Sequence, residues 1–422
     1  MPPARRSEIK RQLAALIEEY YSIEDPGEDP LHCPLSVPLY GAEEVTAALG
    51  ALLSGDVTFG ARVREFEGEF ARFVGARHAV MMNSGSSANL VALSALSARV
   101  VPNGLHPGDE VIVPAVTWPT TVSPVLQTGC VPVFVDIDRK TLNLRPEELE
   151  HAWSPRTRAI FAVHLLGNPV AMHAVMDFAR ERNLWVLEDT CESLGSTIDD
   201  KCVGAIGHIG TFSFYFSHHI TTVEGGMLVT DDDRLADLAR SMRSHGWVRE
   251  MSNRQELEAA SPWIDPRFLF VHLGYNTRPM EVQAAFGLVQ LRRLAEFNDA
   301  RRANARRLLA GLRDLEGRLE FVAEQEGGRS TWFGFPVVVE DAQARSALSD
   351  HLEQHGIETR AIVAGNLAVQ PAFRDNPHRT VGSLANATMI SQRGLFIGNN
   401  PGLDDRKIEH IVATFHSFFD SG

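Results

Sequence analysis

Four short segments carry residue types that could meet around a single ligand. Asn83-Ser-Gly-Ser-Ser-Ala-Asn89 stands between an apolar strand and a helix, so free amides at the helix start can hold a phosphate. Gly85 permits close approach there and Ser86 adds a donor, although a serine-rich helix start is more often only a cap. Glu188-Asp-Thr-Cys-Glu-Ser193 follows the apolar run Leu184 to Leu187. Its Asp189, at a strand's carboxyl end, can face a ligand in the crevice there or cap a helix with equal ease. Opposite a pyridine nitrogen, such a carboxylate would keep the nitrogen protonated and make the ring an electron sink. Trp118, closing Val113-Pro-Ala-Val-Thr-Trp118, suits stacking on a planar ring as well as ordinary packing. In Thr211-Phe-Ser-Phe-Tyr-Phe-Ser-His-His-Ile-Thr-Thr-Val-Glu-Gly-Gly226, Ser213 and Ser217 offer donors to a phosphate or a substrate. Gly225 and Gly226 there suit a tight hairpin turn. A lone histidine is usually structural, but the pair His218-His219 in this setting favours chemistry. Metal binding by the pair is disfavoured, since neighbours on a strand point to opposite faces.

Taken together, the four segments converge on one phosphorylated aromatic cofactor. None of them contains a lysine. The chain has four lysines (Lys10, Lys140, Lys201, Lys407) against 36 arginines. A lysine amine can tether an aldehyde covalently and shuttle protons, whereas an imidazole can only shuttle protons.

The elements that must position these residues alternate strand with helix, the pattern of a doubly wound, mostly parallel sheet. A helix over Glu8 to Tyr21 and an acidic, proline-containing linker come first. The pattern then predicts helices over Ala42 to Leu53 and Ala61 to Val74, a strand over Ala79 to Met82 and a helix over Ser87 to Ala98. Strands are predicted over Glu110 to Pro114, Val131 to Asp136, Ala159 to His164, Trp185 to Asp189, Gly210 to Phe214 and Met227 to Thr230. Helices are predicted from Thr120 and over Asp232 to Arg243. A long helix from Arg278 to about Leu312 leads to an α+β unit with a strand in Trp332 to Val339, a helix over Ala342 to His355 and an extended piece from Glu358. The implied division is 1–36 as N-terminal helix and linker, 37–285 as a large cofactor-binding domain and 286–422 as a small C-terminal domain.

At 422 residues with 44% hydrophobic and 22% charged content, the chain has ample core for two subdomains. A formal net charge of −14 argues against nucleic-acid binding. No apolar run approaches a membrane span, and Met-Pro-Pro-Ala-Arg-Arg-Ser lacks an apolar signal core, so no membrane association and a cytoplasmic location are expected. Cysteines 33, 130, 191 and 202 show no metal-type spacing and read as buried thiols. Cys191 stands apart, lying between two residues assigned to the cofactor.

These motifs and their order, together with Gly274-Tyr-Asn-Thr-Arg-Pro-Met-Glu281, resemble the nucleotide-sugar aminotransferase family of fold-type I pyridoxal-phosphate proteins, from Pro38 to about Asn400. The histidine-bearing sugar 3-dehydratases are the most similar branch, above all those acting on GDP-4-keto-6-deoxy-D-mannose. That likeness rests on Tyr215-Phe-Ser-His-His-Ile, Arg243-Ser-His-Gly-Trp247, Ser330-Thr-Trp-Phe-Gly-Phe335, Gly365-Asn366 and Gly394-Leu-Phe-Ile-Gly-Asn399. The resemblance implies an aspartate-aminotransferase-like fold in which Gly85, Ser86 and Ser213 hold the cofactor phosphate and Trp118 stacks on the ring. Asp189 would pair with the ring nitrogen and Glu192 would lie near the ring hydroxyl or the reacting imine. Ser217 and His245 would line the sugar pocket. Asn276 is expected to reach the phosphate of a neighbouring subunit's cofactor, which implies a homodimer.

The activity so implied is removal of the C3 hydroxyl from a nucleotide-linked 4-keto-6-deoxyhexose. The cofactor would rest as pyridoxamine phosphate, held noncovalently, and glutamate would restore its amine. His218 would take a proton from the cofactor's C4′ carbon and assist departure of water, and ammonia would be released. A related dehydratase type uses an iron-sulfur cluster, which needs several closely spaced cysteines. With no cysteine after residue 202, no cluster is expected. The alternatives are an ordinary sugar aminotransferase, which needs a well-placed lysine where Lys201 is merely the nearest, a noncatalytic cofactor-binding homologue, and epimerisation through the same chemistry.

Overall fold

A computed structural model describes residues 3–23 and 29–420, so part of the acidic linker (24–28) lies outside the described residues. Apolar β-rich runs bury both faces in an eight-stranded sheet. The strand order is His78–Met82, Gly226–Thr230, Ile209–Ser213, Trp185–Asp189, Thr157–Val163, Glu110–Pro114, Val131–Val135 and Arg379–Thr380. Gly226–Thr230 alone runs against its neighbours. The strands therefore deliver Met82, Pro114, Val163, Asp189 and Ser213 to one edge, where an α/β sheet exposes its ligand crevice.

Helices cover the sheet for reasons visible in their spacing. Ala61–Val74 buries Val63, Phe66, Phe70 and Val74 on one face and ends at Gly75, whose φ of 81° only glycine adopts freely. Phe66 and Phe70 meet Phe214 edge-on or tilted at 5.4 Å, which anchors the start of the histidine segment. Asp232 caps Asp233–Arg243 by accepting from the amides of Arg234 and Leu235. At that helix's end the fully buried Arg243 pairs with Glu67 at 2.6 Å and Glu250 at 3.1 Å.

The long helix Glu281–Gly311 serves two cores. Ala284, Leu294 and Phe297 pack with the phenylalanine cluster under the sheet, and Ala305 and Leu308 pack into a second core with Leu348, Ile397 and Phe415. That second core backs a four-stranded antiparallel sheet of Glu320–Phe321, Gly334–Val338, Gly394–Gly398 and Thr359–Ala361. Cys33 belongs to it as well and forms an isolated β-bridge with Ile357, so the segment between the helices Pro3–Ser22 and Ala42–Ser54 is tied to the C-terminal unit.

Ala61–Val74, Glu110–Pro114 and Trp185–Asp189 begin and end where the sequence predicts. Two expectations are corrected. His218 and His219 are not on a strand: 214–225 is an irregular loop of turns, so the opposite-face argument does not apply to them. Nor do Gly225 and Gly226 form a tight hairpin. The positive φ of that loop falls on Val223 (68°), and the glycines are needed for room. A Cβ on Gly226 would lie 2.3 Å from the Ser84 carbonyl, and one on Gly225 would lie 2.1 Å from Thr222 Oγ1.

Candidate active site

The carboxyl edge of the sheet and the C-terminal unit enclose a cavity of about 550 Å³. Gly85, Ser86, Trp118, Asp189, Glu192, Ser213, Ser217 and His218 all line it. At one wall the helix Gly85–Leu96 starts under a Ser84 cap, whose side chain accepts from the Ser87 amide. Ser84, not Ser86, is thus the capping residue, and Ser86 is left exposed toward the cavity. Gly85 is obligatory: a Cβ there would stand 2.6 Å from Ser213 Cβ and 2.9 Å from Cys191 Sγ. The helix amides, Ser86 and Ser213 together fit a phosphate in size and donor chemistry.

Deeper in the cavity, Asp189 is 5% exposed and held from three directions. Its Oδ2 accepts from Asn89 Nδ2 at 2.9 Å and Thr121 Oγ1 at 2.7 Å, and its Oδ1 accepts from the Cys191 amide at 3.2 Å. Asn89 is itself held by Thr211 Oγ1, which donates to Asn89 Oδ1 at 2.5 Å. A carboxylate so fixed at the strand end fits the nitrogen of a pyridine ring. Trp118 stands at the N-cap of Pro119–Gln127, 57% exposed at the rim, where its ring is free to cover a planar group.

The histidine's protonation pattern follows from one hydrogen bond. His218 Nδ1 lies 2.7 Å from the Cys191 carbonyl, and a carbonyl only accepts, so Nδ1 carries the hydrogen and Nε2 keeps a lone pair. Burial pushes the imidazole down to about 4, against a smaller opposing pull from its bond to the Cys191 carbonyl. At neutral pH His218 is therefore an uncharged base that yields a strong acid once protonated. Phe333 fixes the ring from one side at 5.3 Å and Tyr215 from another at 6.1 Å, both edge-on. His219, fully buried against the same Phe333 at 5.7 Å, does not line the cavity.

Glu192 faces the same space. Burial and the neighbouring Asp189 charge raise it to about 7, although the Leu166 amide donates to its Oε2 at 2.9 Å. A carboxyl poised there can give or take a proton near neutrality. The Cys191 thiol is pushed well up, by burial first and then by Asp189, so it contributes its carbonyl and its bulk but not a nucleophile. Among the described residues no group of three or more His, Cys, Asp or Glu side chains is arranged to hold a metal, and no helix is long and apolar enough to cross a membrane.

Sequence reading missed His164, Phe333 and Arg360, which also line the cavity. His164 is held between the buried Glu188, 3.0 Å from its Nε2, and the Val170 amide, which donates to its Nδ1. Burial alone would raise the Glu188 carboxyl, but His164 and the amides of Gly207 and Gly204 outweigh it and hold it low. His164 could have been found as a polar residue closing an apolar strand at the carboxyl edge. Asn89 closes the first quoted motif and Thr121 follows the Trp118 motif, but neither carried a spacing signal of its own.

Two named residues lie elsewhere on the chain. Asn276 lines a second concavity with Arg64, Arg240, Arg249 and Arg278. His245, with φ of 64°, packs against Trp247, which lines that same concavity.

A crevice fitted for a phosphorylated pyridine at the carboxyl edge of a mostly parallel sheet marks a pyridoxal-phosphate type of protein, and the comparisons with known proteins agree. Residues 38–416 match the model of the DegT/DnrJ/EryC1/StrS aminotransferase family, and the chain belongs to that family. It is 37% identical to dTDP-4-dehydro-2,6-dideoxy-D-glucose 3-dehydratase of Saccharopolyspora spinosa over 97% of this chain and 92% of the relative. It is 38% identical to GDP-4-keto-6-deoxy-D-mannose 3-dehydratase of Yersinia pseudotuberculosis over 88% of this chain and 94% of the relative. A solved GDP-4-keto-6-deoxymannose-3-dehydratase with a trapped PLP-glutamate geminal diamine superposes with a TM-score of 0.84 at 36% identity, over 90% of this chain and 99% of that one.

Proposed function

We propose that this protein is a pyridoxal-phosphate-dependent 3-dehydratase that removes the C3 hydroxyl from a nucleotide-linked 4-keto-6-deoxyhexose, using glutamate as amino donor and releasing ammonia. One observation carries the reading: His218 presents a free Nε2 to a cavity that has no lysine among its described lining residues. Bound there as pyridoxamine phosphate, the cofactor would supply an amine for the sugar ketone and a ring able to accept electrons. Gly85, Ser86 and Ser213 would hold its phosphate, Asp189 its ring nitrogen, and Trp118 its face.

His218 would take a proton at Nε2 from the carbon that bears the amine. As an imidazolium disfavoured by burial it would readily pass that proton to the hydroxyl leaving C3. Glu192, near neutrality in its own titration, would serve the ring hydroxyl or the nitrogen joining cofactor to sugar. Ser217 would contact the sugar. A lysine would hold the cofactor covalently and favour keeping nitrogen on the product, so the missing lysine favours loss of ammonia over transamination.

The functional unit in this reading is a cytoplasmic homodimer. Asn276 and His245 lie apart from the cavity, in or beside an arginine-rich concavity, and the exposed Trp118 and Tyr215 line the cavity itself. A second copy would bring Asn276 to the phosphate and His245 to the sugar. The four cysteines are free thiols, in keeping with a reducing compartment.

Guanosine as the nucleotide rests on the motif likeness. The dTDP- and GDP-dependent relatives differ by one percentage point of identity, 37% and 38%. The test is to incubate the purified protein with glutamate and, separately, GDP-, CDP- and dTDP-linked 4-keto-6-deoxyhexoses, and to follow ammonia and product mass. Loss of one oxygen from the sugar with ammonia release is expected. A stable aminated hexose as main product would refute the dehydratase reading.

A further inference from the structure

Ser330-Thr-Trp-Phe-Gly-Phe335 and Gly394-Leu-Phe-Ile-Gly-Asn399 supply the central pair of strands in the C-terminal sheet, with Gly334 opposite Gly398. Phe333 and Asn399 stand just outside that pair, and one side chain joins them. Arg301, on the helix Glu281–Gly311, donates through Nη1 to the Phe333 carbonyl at 3.2 Å and to the Asn399 carbonyl. Asn399 returns the contact, its Nδ2 donating to the Arg301 and Trp332 carbonyls at 3.1 and 2.8 Å. Main-chain bonds then continue to the cavity. The Phe333 amide donates to the Leu166 carbonyl at 3.0 Å, and the Leu166 amide donates to Glu192. The Phe333 ring lines the cavity and meets His218 at 5.3 Å and His219 at 5.7 Å. One guanidinium thus backs the segment that touches His218 and leads to Glu192.

Two features set this clamp apart from ordinary packing. Among the described residues the buried arginines are Arg243, Arg301 and Arg302. Arg243 pairs with Glu67 and Glu250, and Arg302 with Asp299. Arg301 has no acid partner among those residues, and burial pulls its guanidinium down to about 10. A buried cation without a counterion costs stability, and a well-packed apolar side chain would cost less. The second feature is backbone strain: Leu166 and Trp332, on the two segments that cross here, have φ of 49° and 48°. Bulky side chains avoid that region, so the crossing persists only where its neighbours over-determine it. Burial chiefly holds both imidazoles low, and the Arg301 charge pushes the same way. Resting on the proposed dehydratase reading, we propose that Arg301 is a positioning residue for the proton shuttle, clamping Trp332 and Phe333 so that the Phe333 ring keeps the His218 imidazole aimed into the cavity.

The test uses the full-length protein loaded with cofactor, in the variants Arg301→Met, Arg301→Lys and Phe333→Leu. His218 serves both half-reactions, so Arg301→Met should slow amine loading from glutamate and dehydration by a common factor of about tenfold or more, the scale of a displaced catalytic group. The KM values and cofactor affinity should stay within about twofold, because no ligand contact is lost. Hydrogen exchange read by mass spectrometry should quicken in 330–335 and 214–222 while the strands of the large sheet keep wild-type protection. Arg301→Lys, which keeps the charge and can reach a carbonyl, should recover part of both rates. Phe333→Leu keeps the main-chain bonds and removes the ring, so it should reproduce the rate loss with wild-type exchange at 330–335. Rate constants within about twofold of wild type in Arg301→Met, or in Phe333→Leu where Arg301→Met fails to fold, would overturn the proposal. So would a loss confined to KM or cofactor binding, or exchange that quickens throughout the protein. A wild type that loads amine from glutamate but dehydrates no 4-keto-6-deoxyhexose would sink the dehydratase reading, and the amine-loading rates alone would then decide the role of Arg301.

Discussion

Replacing His218 by asparagine separates the two things the imidazole does. Its Nδ1 donates to the Cys191 carbonyl at 2.7 Å, and an asparagine amide can make the same donation, so the loop and its packing on Phe333 should persist. The lone pair on Nε2 is lost, because an amide nitrogen is not basic. General acid-base catalysis is worth on the order of 10²–10⁴-fold, so dehydration should fall at least about a hundredfold, equivalent to about 2.7 kcal/mol in the barrier. The glutamate half-reaction should fall too, since amine transfer needs the same proton shuttle. Cofactor affinity should stay within about threefold, because Gly85, Ser86, Ser213 and Asp189 are untouched. His218→Lys should behave differently, since a lysine there can attach the aldehyde covalently. Borohydride would then fix cofactor mass to residue 218, and dehydration would still be lost. The assay is ammonia release with mass spectrometry of the sugar, run beside an absorbance titration of cofactor binding. Near-normal turnover in both variants would refute the role of His218, and loss of cofactor binding in His218→Asn would show that the ring is structural.

Two more outcomes follow from the same geometry. Gly85→Ala puts a Cβ within 2.6 Å of Ser213 Cβ and 2.9 Å of Cys191 Sγ, an overpacking of about 1–3 kcal/mol that alanine's better helix propensity offsets by about 1 kcal/mol. Stability measured by urea unfolding should therefore fall modestly, while pyridoxal phosphate affinity falls at least about tenfold; unchanged affinity would remove the phosphate from the helix start. The pH profile of dehydration should expose the low His218 value of about 4. An ordinary histidine near 6.5 would be only about one-tenth deprotonated at pH 5.5, whereas His218 should remain almost wholly a free base. In the Glu192→Gln background the rate should stay flat from pH 8 to 5.5, and the wild type should show an added step near 7, where Glu192 titrates. A tenfold fall by pH 5.5 in Glu192→Gln would mean that His218 is not held neutral by burial.

How far the residues alone foretold this arrangement depends on whether a function leaves a local trace. Strand ends do: apolar runs closing in Asn83-Ser-Gly, Asp189 or Thr117-Trp118 announce the carboxyl edge of a parallel sheet, and eight named residues duly share one cavity. Contacts made across the sequence do not. Nothing near Arg360 marks it as a cavity residue, because that placement is created by the register of Thr359–Ala361 on Gly394–Gly398. The histidine loop was misjudged for a related reason. Its residues look strand-like by composition, but Gly226 must pass against Ser84, and the chain between Ser213 and Gly226 turns irregularly instead of forming a tight hairpin.

That irregular loop also bears on how an imidazole is aimed into the cavity. A side chain on a strand is aimed by the pleat, but a side chain on a loop needs its own anchors. The Cys191 carbonyl holds Nδ1 of His218, and Phe333 and Tyr215 hold the ring. These anchors suit a ring that donates at one corner and accepts at the other, whereas a lysine's single terminal nitrogen could not both donate to Cys191 and reach the substrate. Substituting lysine alone should therefore attach the cofactor without making a good aminotransferase, because the surrounding loop remains built for an imidazole. If His218→Lys by itself produced aminated sugar at a rate comparable to wild-type dehydration, the loop would be a neutral platform, and the outcome of the reaction would lie entirely in the one side chain.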